Sequence, residues 1–200
     1  MFNKPRLLTP GPTPLPERVR LALAQDMIHH RKPGFKKILL ETETMLQKLF
    51  GTEQPVLPLS CSGTGAMTAA VHGLFLPGET VIVVNGGKFG ERWSKIAAVR
   101  GLKVVEIDVA WGQAVTPAQV EQALREHPEA KGVFMQVCET STAAQHPVEA
   151  IARLTRTREV LLSRTASRRS ASLPARWTHG ASTASSPAPR RASWSRPAWR

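Results

Sequence analysis

Apolar positions along this chain switch between two spacings, and the switches predict its elements. Val19, Leu21, Leu23 and Met27 follow Pro16 at helical positions. Phe35, Ile38, Leu39, Met45, Leu46 and Leu49 recur three and four residues apart. They predict a helix over Phe35 to Phe50, with Gly51 as its C-cap. A short apolar run, Val56 to Leu59, predicts a strand, and small residues from Ser60 to Ala66 predict a turn. An Ala-rich helical pattern then runs from Met67 to Leu76 and closes at Pro77-Gly78. Thr80 to Val84 is continuously β-branched, the mark of a strand covered on both faces. A helix over Phe89 to Arg100 and a strand over Leu102 to Ile107 follow. Thr116 and Pro117 have the residue types of an N-cap and a first helical turn. Val120, Ala123 and Leu124 line that helix. Gly132 to Val137 predicts another buried strand, Pro147 to Leu154 a helix, and the pattern stops at Val160-Leu161-Leu162.

Strands alternating with helices of this length predict an α/β class with a parallel or mostly parallel sheet. Such sheets bind ligands beyond the carboxyl ends of their strands. Three turns fall there: Ser62-Gly63-Thr64-Gly65-Ala66, Asn85-Gly86-Gly87 and Glu139-Thr140-Ser141-Thr142. The first precedes a helix, whose free N–H groups and partial positive charge suit a phosphate. Its glycines let the backbone approach a ligand, and Ser62 and Thr64 add hydroxyl donors.

Charge changes the picture only at the far end. Of 27 Lys and Arg, eight Arg lie after Glu159, where no acid remains. The net charge of +12 therefore belongs mostly to the tail, and the remainder is nearly balanced. That argues against a nucleic-acid-binding domain. Ser163 to Arg200 is rich in Ser, Arg, Ala and Pro without period, which predicts disorder. Cys61 and Cys138 lack CxxC spacing, and no histidine cluster has metal-ligand spacing, so neither a disulfide framework nor a metal site is expected. No signal-peptide order opens the chain, and no apolar run nears the ~20 residues that cross a bilayer. The expected setting is the cytoplasm, without membrane or nucleic-acid partners.

Leu7 to Pro16 carries four prolines in ten residues, which forbids a helix and predicts an extended arm with a turn at Pro10-Gly11-Pro12. His29-His30-Arg31 reads as a solvated loop. Two classes fit the phosphate-suited edge: a phosphate-cofactor enzyme, or a non-enzymatic phosphate- or nucleotide-binding domain with a basic tail.

The order of motifs sharpens this choice. Pro-Gly-Pro-Thr in the arm, His-Arg-x-Pro-x-Phe from His30, Ser-Gly-Thr-Gly-Ala-Met from Ser62, Asn-Gly-x-x-Phe-Gly-x-Arg-Trp from Asn85 and Glu-Thr-Ser-Thr from Glu139 occur in sequence. Together they resemble the class V pyridoxal-phosphate aminotransferases, particularly the alanine–glyoxylate and serine–glyoxylate (serine–pyruvate) enzymes. The resemblance runs from about Leu7 to Leu162. It implies part of a fold-type I large domain over 19–162, after an arm over 1–18 and before a disordered tail over 163–200. It implies that Thr64, Gly65 and Ala66 cradle the phosphate of pyridoxal 5′-phosphate. Phe89 would stack on the pyridine ring, and Thr140 would meet its phenolic edge. Gly11 would meet the substrate carboxylate. His30 and Arg31 would lie near a dimer interface, since relatives are homodimers. The implied reaction moves an amino group from alanine or serine to glyoxylate or another 2-oxo acid.

Two of the family's groups are missing: the lysine that forms the Schiff base and the aspartate that faces the pyridinium nitrogen. The last lysine is Lys131 and the last acid Glu159. Lys88 is expected to face solvent. The tail can be read as a shifted frame. Ser163 to Ala171 can be encoded so that reading from the third base gives Ala-Asp-Gly-Ile-Ala-Ala-Val-Gly. Pro187 to Ala192, read at the same offset, can give Gly-Ser-Gln-Lys-Gly. These are the two missing motifs in family order. The chain as written is therefore expected to be an inactive, truncated and frame-shifted relative, with cofactor held non-covalently at best.

Overall fold

The computed structural model describes residues 14–166, which divide into two compact units between Pro58 and Leu59. Gly11, the Pro10-Gly11-Pro12 turn and the tail from residue 167 lie outside the described residues.

Described by itself, the first unit holds two helices among its described residues, α1 (Glu17–Leu23) and α2 (Pro33–Phe50). The helix expected to reach Met27 stops at Leu23. In α2 a proline sits in the first turn, and Gly51 closes the helix in the left-handed conformation, φ 58°. Its apolar stripe is present, yet Ile38, Leu39, Met45 and Leu49 are exposed. His29 and His30 stack on one another in the exposed turn between the helices.

The second unit carries α3 (Gly63–Leu74), β1 (Thr80–Asn85), α4 (Lys88–Val99), β2 (Lys103–Asp108), α5 (Pro117–Glu126), β3 (Gly132–Gln136), α6 (Val148–Arg156) and β4 (Leu161–Thr165). The strands form one sheet in the order β2-β1-β3-β4, every neighbour parallel. Strand alternation splits the core into two layers. Val81, Val83 and Phe134 face α3 and α4, meeting Met67, Val71, Phe75, Trp93 and Ile96. Ile82, Val84, Val133, Met135 and Leu162 face α5 and α6, meeting Val120, Leu124 and Ile151. Each large side chain so buried contributes roughly 1.5–3 kcal/mol. Thr116 and Gln119 form a complete capping box on α5.

Three expectations need correction. Val56 to Leu59 is not a strand; it carries no regular structure, and Leu57 and Leu59 are exposed. Pro58 lies inside the run and removes a ladder donor, with Pro55 just before it. The helix expected from Met67 begins four residues earlier, because Ser62 caps it by accepting from Gly65 N–H. Ser163 to Thr165, expected in the structureless tail, complete β4 opposite Phe134, Met135 and Gln136.

Candidate cofactor site

Parallel pairing brings the ends of β1 and β3 to one edge of the sheet, and α3 begins beside α4. At the start of α3, Gly63 and Thr64 occupy the first two helical positions, where geometry offers their N–H groups no intrahelical acceptor. The Ser62 hydroxyl takes the Gly65 N–H at 3.3 Å, and the Ser62 carbonyl takes the Ala66 N–H at 3.1 Å. A Cβ on Gly65 would stand 2.8 Å from Cys61 Cβ, so this close turn requires a residue without one.

Thr64 is tied to α4. Its hydroxyl oxygen accepts from Arg92 Nη1 at 3.0 Å, leaving the hydroxyl proton free to donate to an anion. The same guanidinium lies over the Phe89 ring, 4.9 Å from the centroid. One cation thus joins the α3 N-terminus to the aromatic predicted to carry a ligand ring. Phe89 is half-buried in the first turn of α4.

The turn after β3 meets the same place. Glu139 is 0% exposed. Its carboxylate accepts from Phe89 N–H at 3.2 Å, from Gly90 N–H at 3.1 Å and from Ser141 N–H at 3.1 Å. Ser141 Oγ donates to it at 2.6 Å and accepts from Lys88 N–H at 3.1 Å. The N-terminus of α4 is therefore already occupied by a carboxylate, whereas that of α3 presents donors without one. Thr140, between Glu139 and Ser141, is half-buried at this edge.

His146 is buried beneath these turns. Its Nδ1 accepts from Val115 N–H at 3.1 Å, which places the proton of the neutral ring on Nε2. Burial pushes its pKa below the usual histidine range, and the Glu139 charge opposes that shift.

The structure thus brings Thr64 and Phe89 together through Arg92, and Phe89 to the Thr140 turn through Glu139. Gly65 and Ala66 share the Thr64 turn. Gly11 lies outside the described residues. Lys88 pairs with Glu91 and is exposed, as expected. Arg92 and Glu139 stand inside the sequence motifs, but their roles span 28 and 50 residues and only folding reveals them. Backbone donors at a helix start, a hydroxyl and an adjacent guanidinium suit a phosphate monoester, and the aromatic beside them suits a flat ring. No group of three metal-ligating side chains occurs among the described residues.

The family model described as Aminotransferase class-V matches residues 11–174. An uncharacterized aminotransferase of Helicobacter pylori is 43% identical over 149 residues, covering 73% of this chain and 39% of the relative. A serine–glyoxylate aminotransferase of Methylorubrum extorquens is 31% identical, over 72% of this chain and 37% of the relative. The crystal structure of a subgroup IV aspartate aminotransferase from Thermus thermophilus superposes with a TM-score of 0.74 at 37% identity, covering 80% of this chain and 45% of that one. The chain thus spans about two fifths of the length of these curated relatives.

Proposed function

The chain belongs to the aminotransferase class-V family, and from that membership we propose that it is the cofactor-cradling part of an enzyme acting on an amino acid and a 2-oxo acid. The family depends on pyridoxal 5′-phosphate, and the residues present fit it. Thr64, Gly65 and Ala66 would frame the phosphate at the start of α3, where the N–H groups of Gly63 and Thr64 and the Thr64 hydroxyl are the open donors; Phe89 would carry the ring and Thr140 would meet its edge. Bound there, the cofactor supplies an electron sink for amino-group exchange. The chain's own contribution is binding and orientation. The observation that carries this reading is the Thr64–Arg92–Phe89 connection, which joins phosphate donors to a ring platform.

The whole protein moves an amino group from alanine or serine to glyoxylate or another 2-oxo acid, with Gly11 at the substrate carboxylate. The names of relatives support glyoxylate as an acceptor, and the Thermus structure adds aspartate to the donors worth assaying. It works as a homodimer; the exposed apolar stripe of α2 suits a surface covered by a second copy. The free thiols of Cys61 and Cys138 fit a cytoplasmic setting.

The 200-residue chain as written does not itself transaminate, because no lysine or acid follows Glu159. Two features of β4 support a frame change after Leu162. Ser163 is buried, and among the described residues its hydroxyl has no hydrogen-bond partner. Arg164, next in the same strand, places a half-buried guanidinium there, whose pKa burial lowers and Glu149 raises. A covered strand ordinarily carries apolar residues at such positions. Sequencing the gene across the Leu162 codon, with assays of alanine, serine and aspartate against glyoxylate, tests this reading. A lost base and no turnover are expected. An intact frame together with turnover by the 200-residue product contradicts it.

A further inference from the structure

A ring platform is only as well placed as the backbone beneath it. Phe89 sits in the first turn of α4, where free N–H groups would ordinarily face water or a ligand. Here three consecutive donors are held. Lys88 N–H goes to Ser141 Oγ, while Phe89 and Gly90 N–H go to the Glu139 carboxylate. Both acceptors come from the turn after β3, about fifty residues away.

That turn is braced in its own right. Glu139 N–H donates to the Ala144 carbonyl at 2.9 Å, and its carbonyl takes the Ala143 N–H at 2.8 Å. The approach is close enough to require glycine at position 87. A Cβ there would collide with Ser141 Oγ and stand 2.6 Å from Glu139 Cγ. The Arg92 guanidinium settles over the Phe89 ring.

We propose that Glu139 is a positioning residue: its buried carboxylate, with Ser141, clamps the start of α4 and so fixes the height and tilt of Phe89 for a stacked pyridine ring. The inference rests on the reading that such a ring lies on Phe89. The clamp has a second effect. By filling the positive end of α4 with a carboxylate, it directs an incoming phosphate to α3 instead. Glu139 touches neither phosphate nor ring and acts through Phe89.

The clamp affects ring binding more than phosphate binding, and that asymmetry is measurable. The intact 200-residue chain is titrated calorimetrically with pyridoxamine 5′-phosphate, which forms no imine with surface lysines, and separately with inorganic phosphate. Glu139→Gln keeps the side-chain size but turns an NH2 group toward backbone donors. Its affinity for pyridoxamine 5′-phosphate should fall about tenfold, with inorganic phosphate changed by less than about twofold. Amide exchange at Phe89 and Gly90 should quicken while far-ultraviolet circular dichroism stays constant. Ser141→Ala should act in the same direction, by about threefold, and carries the test if Glu139→Gln folds poorly. Unchanged affinity for the pyridoxamine compound overturns the proposal alone. Equal loss of both ligands also overturns it, because it marks a general structural role. A wild-type chain that binds no better with the ring than without it overturns the cofactor reading and this proposal with it.

Discussion

At the residue scale the site depends on a few polar atoms with more than one task. Thr64 accepts from Arg92 and keeps a proton for an anion. Thr64→Val removes both functions at constant size. It should weaken pyridoxamine 5′-phosphate binding about tenfold while leaving the thermal midpoint nearly unchanged, as calorimetry and circular dichroism would report. His146 supplies a pH signature. Its pKa is held below the ordinary value by burial, so the unfolded chain binds more protons as pH falls through the histidine range. The contribution of His146 to stability is therefore complete above about pH 6.5 and is lost progressively as pH falls below it. Protonation must also take place at Nδ1, which breaks the Val115 N–H bond. Urea midpoints at pH 7.5 and pH 5.5 should differ in wild type, and His146→Asn should narrow the gap. An unchanged gap contradicts the role given to His146.

At the scale of elements, the sequence pattern succeeded where burial is one-sided or complete. Thr80 to Val84 and Gly132 to Val137 read as covered strands because the sheet has helices on both faces. Thr116 and Pro117 located the start of α5, and Val120, Ala123 and Leu124 its buried face. Thr116→Ala should lower stability by about 1 kcal/mol in urea unfolding, since the capping box loses its hydroxyl acceptor. The pattern failed at Val56 to Leu59, where hydrophobicity outweighed the proline inside the run. It also placed the α3 start too late, because Gly63, Thr64 and Gly65 are poor helix formers that a serine cap recruits. The site was half legible. Thr64, Phe89 and Thr140 stood out through motif order, whereas the links through Arg92 and Glu139 cross between elements and leave no local period.

At the scale of the whole molecule, the second unit is a sheet covered on both faces with a ligand-suited edge. β2 and β4 are its two outer strands. The proposed phosphate donors and the proposed ring platform lie within this unit, while the sequence carries no lysine after Lys131 and no acid after Glu159. The proposed binding can therefore be examined apart from turnover. The most direct measurement is a crystal structure of the chain with pyridoxamine 5′-phosphate. Expected is phosphate density against the N–H groups of Gly63 and Thr64, with the pyridine ring lying on Phe89. A phosphate seated elsewhere, or a ring that leaves Phe89 uncovered, contradicts the site.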